Sequence, residues 1–443
     1  MFESLLVANR GEIAVRVLRT ARKLGIRTVA VYSEADKDAL HVHEADEAVL
    51  IGPAPIQQSY LNVEAVLRAA RERGVSAVHP GYGLLSERAD FARSVQDNGL
   101  TWVGPSPDII EMMGDKIKAR VLMSEHGVPV AGGTSRPPQT VEEAVAAAAR
   151  IGYPVMIKAA GGGGGIGMSA VDTADALVLA FEAACARAQR LFGSSDILLE
   201  QFIQPARHIE VQILGLNDGR ILALGERDCS VQRRFQKVVE ETPATAITDQ
   251  TRERMLAIAV RAGESIDYRG VGTVEFLLDV NSEQFMFLEM NTRLQVEHPI
   301  TELVTGLDLV ELQLRVAAGE QLDLRSPASE GHAIEFRLYA EDPVRFLPTP
   351  GPIETWNVPS YPWLRIDTGY HSGMRVSHYY DPLIAKICVH GVDRNQALAR
   401  ARTALNQVEI GPVTTNLSML RRVVTHTEFE NGMYDTGLLD HLK

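Results

Sequence analysis

The segment Leu288 to His298, "LEMNTRLQVEH", alternates in character from one residue to the next. On an extended chain Glu289, Asn291, Arg293, Gln295 and Glu297 fall on one face, and Leu288, Met290, Thr292, Leu294 and Val296 on the other. The polar face combines oxygens that suit a metal ion with a guanidinium that suits an anion. Just upstream, "TVEFLLDV" is apolar apart from Glu275 and Asp279, and the turn "NSEQ" lets the two strands pair, bringing Glu275 near Glu289. Two carboxylates and an amide suit Mg²⁺, which takes hard oxygen ligands and leaves positions for phosphate oxygens. The bland alternative is an acidic hairpin in solvent.

A second stretch, "KAAGGGGGIGMSAV" from Lys158 to Val171, places five glycines in a row behind a lysine. Backbone without side chains lets N–H groups approach an anion closely, and Lys158 adds a point charge. A Walker-type loop would instead run into a helix with Gly-Lys-Ser/Thr, whereas this one joins two strands. The expectation is a moving flap that covers phosphate; the alternative is a plain hairpin tip. A third stretch, "GERDCSVQRRFQKVVEE", holds Arg227, Arg233, Arg234 and Lys237. It reads either as a solvated basic loop or, beside an ATP–Mg²⁺ site, as the source of a lysine that holds the transferring phosphate.

These residues need a scaffold. The chain has 443 residues, 45% of them hydrophobic, which allows two or three domains and a large core. Its formal charge of −13 excludes a nonspecific binder of nucleic acid or anionic membrane. Cys185, Cys229 and Cys388 stand far apart and form no disulfide framework, which suits a reducing cytoplasm. No secretion signal and no membrane span is read from the sequence. The first hundred residues alternate strands ("SLLVANR", "TVAVYS", "SAVHPGYG") with helices at Gly11 to Leu24 and Val63 to Gly74, the pattern of a parallel α/β sheet. Gly-x-Gly-x-x-Gly is missing after the first strand, so a dinucleotide site is rejected there. After a linker at Gly132 to Thr140 come a helix at Val141 to Arg150, the strand "YPVMIKAA", a long helix from about Asp175 to Arg190, and the strand "DILLEQFI". "HVHE" at His41 to Glu44 lacks further ligands for zinc, and Cys229 reads as a packing thiol.

Together the strings "LLVANRGEIAVR", "HPGYGLLSE", "GGGGGIGM", "GERDCSVQRR", "QKVVEE", "LEMNTRLQVEHPITE", "AIEFRLYAEDP" and "YYDPLIAKICVHG" resemble the biotin carboxylases of the ATP-grasp superfamily, in that family's order and over essentially the whole chain. The resemblance implies an α/β protein with an N-terminal parallel domain (1–115), a mobile glycine-rich lid (116–203), an ATP-grasp core (204–333) and a mixed α+β C-terminal domain (334–443). It implies carboxylation of biotin by ATP and bicarbonate through carboxyphosphate, with Mg²⁺ or Mn²⁺. Lys116 and Lys158 match phosphate-binding lysines, and Gly163, Gly164 and Gly165 the lid loop. Glu200 and Ile203 match the adenine hinge; His208, Gln232 and Lys237 match groups around ribose and phosphates. Glu275, Glu289 and Asn291 match the metal site, and Arg293, Gln295 and the backbone of Val296 the bicarbonate pocket. Glu297 matches the base, and Arg337 the group that stabilises enolate-like biotin.

The implied partners are a biotin carboxyl carrier protein and carboxyltransferase subunits, with fatty acid biosynthesis as the setting. A homodimer is also implied, and the basic positions Arg16, Arg19 and Lys23 fit its interface. Ile166, Gln201 and Phe235 depart from the usual arginine or lysine, lysine, and histidine; Ile166 is similar to urea carboxylases. The rivals are another ATP-grasp ligase, of the carbamoyl-phosphate or purine type, and a catalytically weak nucleotide-binding scaffold. If the glycine loop must touch phosphate, Gly164→Val should raise the Michaelis constant for ATP strongly while the fold stays intact; steady-state kinetics check this.

Overall fold

The computed structural model describes residues 1–160 and 168–442. Gly163, Gly164, Gly165 and Ile166 lie outside the described residues. The N-terminal sheet is parallel: Ser4–Val7 is central, flanked by Arg27–Ser33 and Ala77–His79, with Glu47–Gly52 and Thr101–Trp102 at the edges. The two edge strands escaped the sequence reading because one is half exposed and the other has two residues. The helix Gly11–Lys23 buries Ile13, Ala14, Val17, Leu18 and Ala21, one apolar stripe at helical spacing. Where a dinucleotide fold would leave space at the strand ends, the Asn9 amide donates to Pro80 O (2.6 Å) and Tyr82 O (2.8 Å).

Two of the three basic positions expected at a subunit interface already have carboxylate partners within the chain. Arg16 Nη2 lies 2.8 Å from both Glu302 and Asp308, and Arg19 pairs with Glu44. Distant carboxylates already neutralise two of the three positions.

The lid is a three-stranded antiparallel sheet in the order Ser169–Val171, Val155–Ala159, Ile197–Gln201. The helices Val141–Ile151 and Ala174–Phe192 pack on it, and each starts at a threonine whose hydroxyl accepts a backbone N–H. The strands on either side of the glycines pair with each other, as expected.

The largest sheet has eight antiparallel strands, in the order Phe285–Asn291, Gly270–Asp279, Ala206–Gly215, Ile221–Arg233, Gln236–Thr242, His332–Tyr339, Leu383–Gly391, Leu364–Thr368. The division expected at 333/334 therefore falls inside a strand, His332–Tyr339, whose backbone pairs with Gln236–Thr242. Hydrogen bonding runs across that division without a break. A smaller sheet of Gly351–Asn357 with Arg375–Val376 and Glu409–Pro412 completes the C-terminal part. Among the described residues no helix is long and apolar enough to cross a membrane.

Glu241 ties the two halves of the large sheet to the C-terminal helices. Its Oε2 lies 2.6 Å from His332 Nε2 and 2.8 Å from Arg394 Nε, and its Oε1 accepts from Tyr434 at 2.6 Å. Burial opposes its charge, but His332 and Arg394 outweigh burial and hold the carboxyl at about 2. A depressed carboxyl stabilises the fold above its unfolded value of 4.5 and loses that contribution as pH falls towards 2. Glu241→Gln should thus cost about 3 kcal/mol at pH 7. The gap to wild type should close between pH 4.5 and 2 in urea-unfolding series, the window those two values define.

Candidate active site

Backbone register aligns charged residues across four neighbouring strands. Glu289 stands opposite Glu275, Glu275 opposite Glu210, and Glu210 opposite Arg227. The pairing of Glu275 with Glu289 is the one the hairpin turn predicts. The alternation of "LEMNTRLQVEH" is only partly a strand: the strand ends at Asn291, and Thr292 to Gln295 run irregularly into a turn at Val296 and Glu297 before the helix His298–Thr305. Pro299 in the first turn of that helix favours helical backbone and has no N–H for a sheet ladder. Four of the five polar side chains still meet around Glu275 and Arg293, while Glu289 turns to Lys116.

Lys237 is the hub. Its Nζ donates to Glu210 Oε2 (2.5 Å), Glu275 Oε1 (2.7 Å) and Glu297 Oε1 (2.8 Å), using all three of its hydrogens. Burial works against the ammonium, yet Cys229, Glu210, Glu275 and Glu297 outweigh it and raise its pKa well above the ordinary value. The basic stretch is thus no solvated loop but a buried hairpin of Ile221–Arg233 and Gln236–Thr242. Arg227 pairs with Glu210 and Arg233 with Glu341; only Arg234, near the tip, is exposed.

Glu297 is fully buried, and its second oxygen accepts from Arg337 Nη2 at 2.9 Å. Burial penalises its charge, but Lys237, Arg337 and Arg227 hold it well below the carboxylate range. Arg293 donates to Gln295 Oε1 and Asn291 Oδ1, both at 2.9 Å, and its Nε lies 2.9 Å from Glu87. The amides of Asn291 and Gln295 donate to Glu275 Oε1 at 2.8 and 3.0 Å. Gln232 donates to His208 Nδ1 at 2.7 Å, which leaves the ring proton on Nε2, 2.8 Å from Glu275 Oε2. The Val296 carbonyl accepts from Lys386 at 2.9 Å. Lys116 reaches Glu289 at 2.9 Å, Lys158 pairs with Glu200, and Ile203 is buried where the lid strand ends.

Two clusters of possible donors lie within 4.8 Å, His208 with Glu210 and Glu275, and Glu210 with Cys229 and Glu297. Glu289 stands across the strand pair, engaged by Lys116. Both His208 nitrogens are occupied, by Gln232 and Glu275, whereas the carboxylates of Glu275 and Glu289 with the Asn291 amide are hard-oxygen donors that fit a divalent cation of the Mg²⁺ class.

Three family patterns match in succession: "Biotin carboxylase, N-terminal domain" over residues 1–110, "Carbamoyl-phosphate synthase L chain, ATP binding domain" over 115–325, and "Biotin carboxylase C-terminal domain" over 335–441. The biotin carboxylase of Halalkalibacterium halodurans is 50% identical over 100% of this chain and 98% of its own. The chain belongs to the biotin carboxylase family. It is an ATP-dependent carboxylating ligase with the ATP-grasp fold. The alpha subunit of soybean (Glycine max) mitochondrial methylcrotonoyl-CoA carboxylase is 48% identical, over 100% of this chain and 61% of that subunit. The solved biotin carboxylase domain dimer of Hydrogenobacter thermophilus 2-oxoglutarate carboxylase superposes with a TM-score of 0.97 at 43% identity, covering 100% and 98% of the two chains. That crystal structure contains MgADP, ADP and bicarbonate.

Several residues of this biotin carboxylase fold were not read from the sequence: Glu210, Glu87 and Lys386. Glu210 had a usable signal, since His208, Glu210 and Gln212 alternate with Ile209, Val211 and Ile213 in "HIEVQI". Glu87 and Lys386 had none, because tertiary contact alone brings them in. Phe235 lies at the hairpin tip with φ of +66° and is half exposed, and Cys229 is buried 3.9 Å from Glu297. His41 packs on Val31 O inside the N-terminal domain.

Glu87 is the one partner of Arg293 that stands half in solvent. Glu87→Ala should loosen Arg293 by one charged contact. With Arg293 in the bicarbonate pocket, as the family resemblance implies, the bicarbonate concentration for half-maximal ATP cleavage should then rise roughly threefold to tenfold, with the maximal rate little changed.

Proposed function

We propose that the chain uses MgATP and bicarbonate to carboxylate biotin carried on a separate biotin carboxyl carrier protein, through carboxyphosphate. This would be the first half-reaction of an acyl-CoA carboxylase, with acetyl-CoA as the acceptor and carboxyltransferase subunits as partners, in the cytoplasm and in fatty acid biosynthesis. The same half-reaction in a urea-type carboxylase is the second reading, favoured by Ile166. One observation carries the proposal: Glu297 joins Lys237 through one oxygen and Arg337 through the other. A single carboxylate thereby links the proposed phosphate end of the site to the proposed biotin end.

The lysines account for nucleotide binding. Lys116, Lys158 and Lys237 all rest on carboxylates, and a polyphosphate would draw them away. Gly163, Gly164 and Gly165 would close over it, with Glu200 and Ile203 at adenine and His208 and Gln232 near the ribose. Glu275, Glu289 and Asn291 would hold Mg²⁺ or Mn²⁺, which when bound offsets the charge of the phosphates. Arg293, Gln295 and the backbone of Val296 would hold bicarbonate.

Once Lys237 turns to phosphate, Glu297 loses one of the cations that depress it. Its basicity then rises towards what proton removal from bicarbonate requires. Bicarbonate oxygen attacks the γ-phosphorus and displaces ADP, and the carboxyphosphate formed breaks down to CO₂ and phosphate. That phosphate takes the proton from biotin nitrogen while Arg337 stabilises the charge left on the ring, and the nitrogen then bonds to the carbon of CO₂. The dimeric state of the Hydrogenobacter relative supports a homodimer here.

The test is Glu297→Gln, which keeps shape and removes the proton acceptor. Bicarbonate-dependent ATP cleavage, stimulated by free biotin in the wild type, should fall roughly 10²-fold or more. Near-normal turnover in the variant would refute the role.

A further inference from the structure

Behind Arg337 lie two buried carboxylates that the reaction above does not use. Glu240 stands directly opposite Glu335 across the pair of strands Gln236–Thr242 and His332–Tyr339, and neither is more than 1% exposed. Glu240 Oε1 lies 2.6 Å from Arg337 Nη2, the same nitrogen that reaches Glu297. Glu240 Oε2 meets no donor. Glu335 Oε2 takes the Cys388 thiol at 3.4 Å, and Glu335 Oε1 meets no donor. Cross-strand neighbours bring their Cβ atoms to about 5 Å, so the two carboxyl groups leave the same face of the sheet side by side.

Charge counting points the same way. Five carboxylates, Glu210, Glu240, Glu275, Glu297 and Glu335, have three cations in ion-pair contact, Arg227, Lys237 and Arg337, and Glu335 feels a fourth, Lys386, without an ion-pair contact. Lys386, on the next strand, is engaged by Glu12 at 3.1 Å and by Val296 O. Buried carboxylates left without a counter-charge take up a proton. Glu210, Glu275 and Glu297 each have cations or several donors; the orphan oxygens are on Glu240 and Glu335. Burial, above all, pushes Glu240 up to about 7 against the pull of Arg337, with Glu297 adding to the rise, and it drives Glu335 upward too.

We propose that Glu240 and Glu335 share a single proton and together act as positioning residues for Arg337. While the proton is present, Arg337 is free to turn from Glu240 to a substrate anion; once it leaves, ionised Glu240 holds the guanidinium back. The inference rests on the reading of Arg337 as the contact to biotin.

The experiment compares the whole chain with Glu240→Gln, a permanently neutral isostere, using free biotin from pH 6 to 9. The ratio of their kcat/KM values for biotin cancels every ionisation the two proteins share. It should rise about tenfold in favour of the variant across that range, the effect of one pKa unit of coupling. A purely structural role would shift the ratio by a constant factor, and a flat ratio overturns the proposal. Infrared titration of the wild type should show a carboxylic-acid band that fades with a midpoint near pH 7, a midpoint that should move in Glu240→Gln. Absence of that band from the wild type also overturns it. A wild type without biotin-stimulated ATP cleavage would count against the functional reading, and the infrared titration would still decide whether the proton is there.

Discussion

The ammonium of Lys237, closed in by Glu210, Glu275 and Glu297, is the contact on which the site depends. Three carboxylates brought together inside a protein repel one another and resist burial. A cation at their centre makes the arrangement tolerable, and each of its hydrogens goes to a different segment of chain. In the proposed reaction the arrangement is also one that a polyphosphate undoes. When the lysine is drawn to a stronger anion, the carboxylates it leaves become available to a divalent cation and to a proton. The resting structure and the proposed chemistry thus use the same charges in two pairings.

The sheet makes this possible. Four strands in register carry Glu289, Glu275, Glu210 and Arg227 side by side. Irregularities in the ladder beside Glu275 and before Glu226 shift the neighbouring side chains from strict alternation. Behind the row, Ile209, Val211, Val274 and Phe276 belong to a continuous apolar core. The polar face can therefore be crowded because the opposite face secures the strands.

Lys386 plays a corresponding part from the other side. Its buried ammonium contacts Glu12 on the first helix and the carbonyl of Val296. One charge thus joins the first helix, the turn that presents Glu297, and the C-terminal strands. Arg337 reaches the same turn from the His332–Tyr339 strand, so the proposed biotin end of the site is built from both halves of the large sheet.

The sequence by itself determined the local parts. Alternation marked Glu289 to Glu297 as one polar set, the turn at Asn281 to Gln284 implied the pairing of Glu275 with Glu289, and strand–helix alternation implied the parallel N-terminal sheet. These were legible because side-chain periodicity and turn chemistry act over a few residues. It did not show that the polar set leaves the strand at Asn291, or that Arg16 and Arg19 are already neutralised. Nor did it single out Glu210, Glu87, Glu240 and Lys386, or show that the first strand of the C-terminal part continues the central sheet. Only the tertiary structure decided these. They depend on charges meeting across tens or hundreds of residues, and the burial that fixes their protonation exists only once the sheets have closed around them.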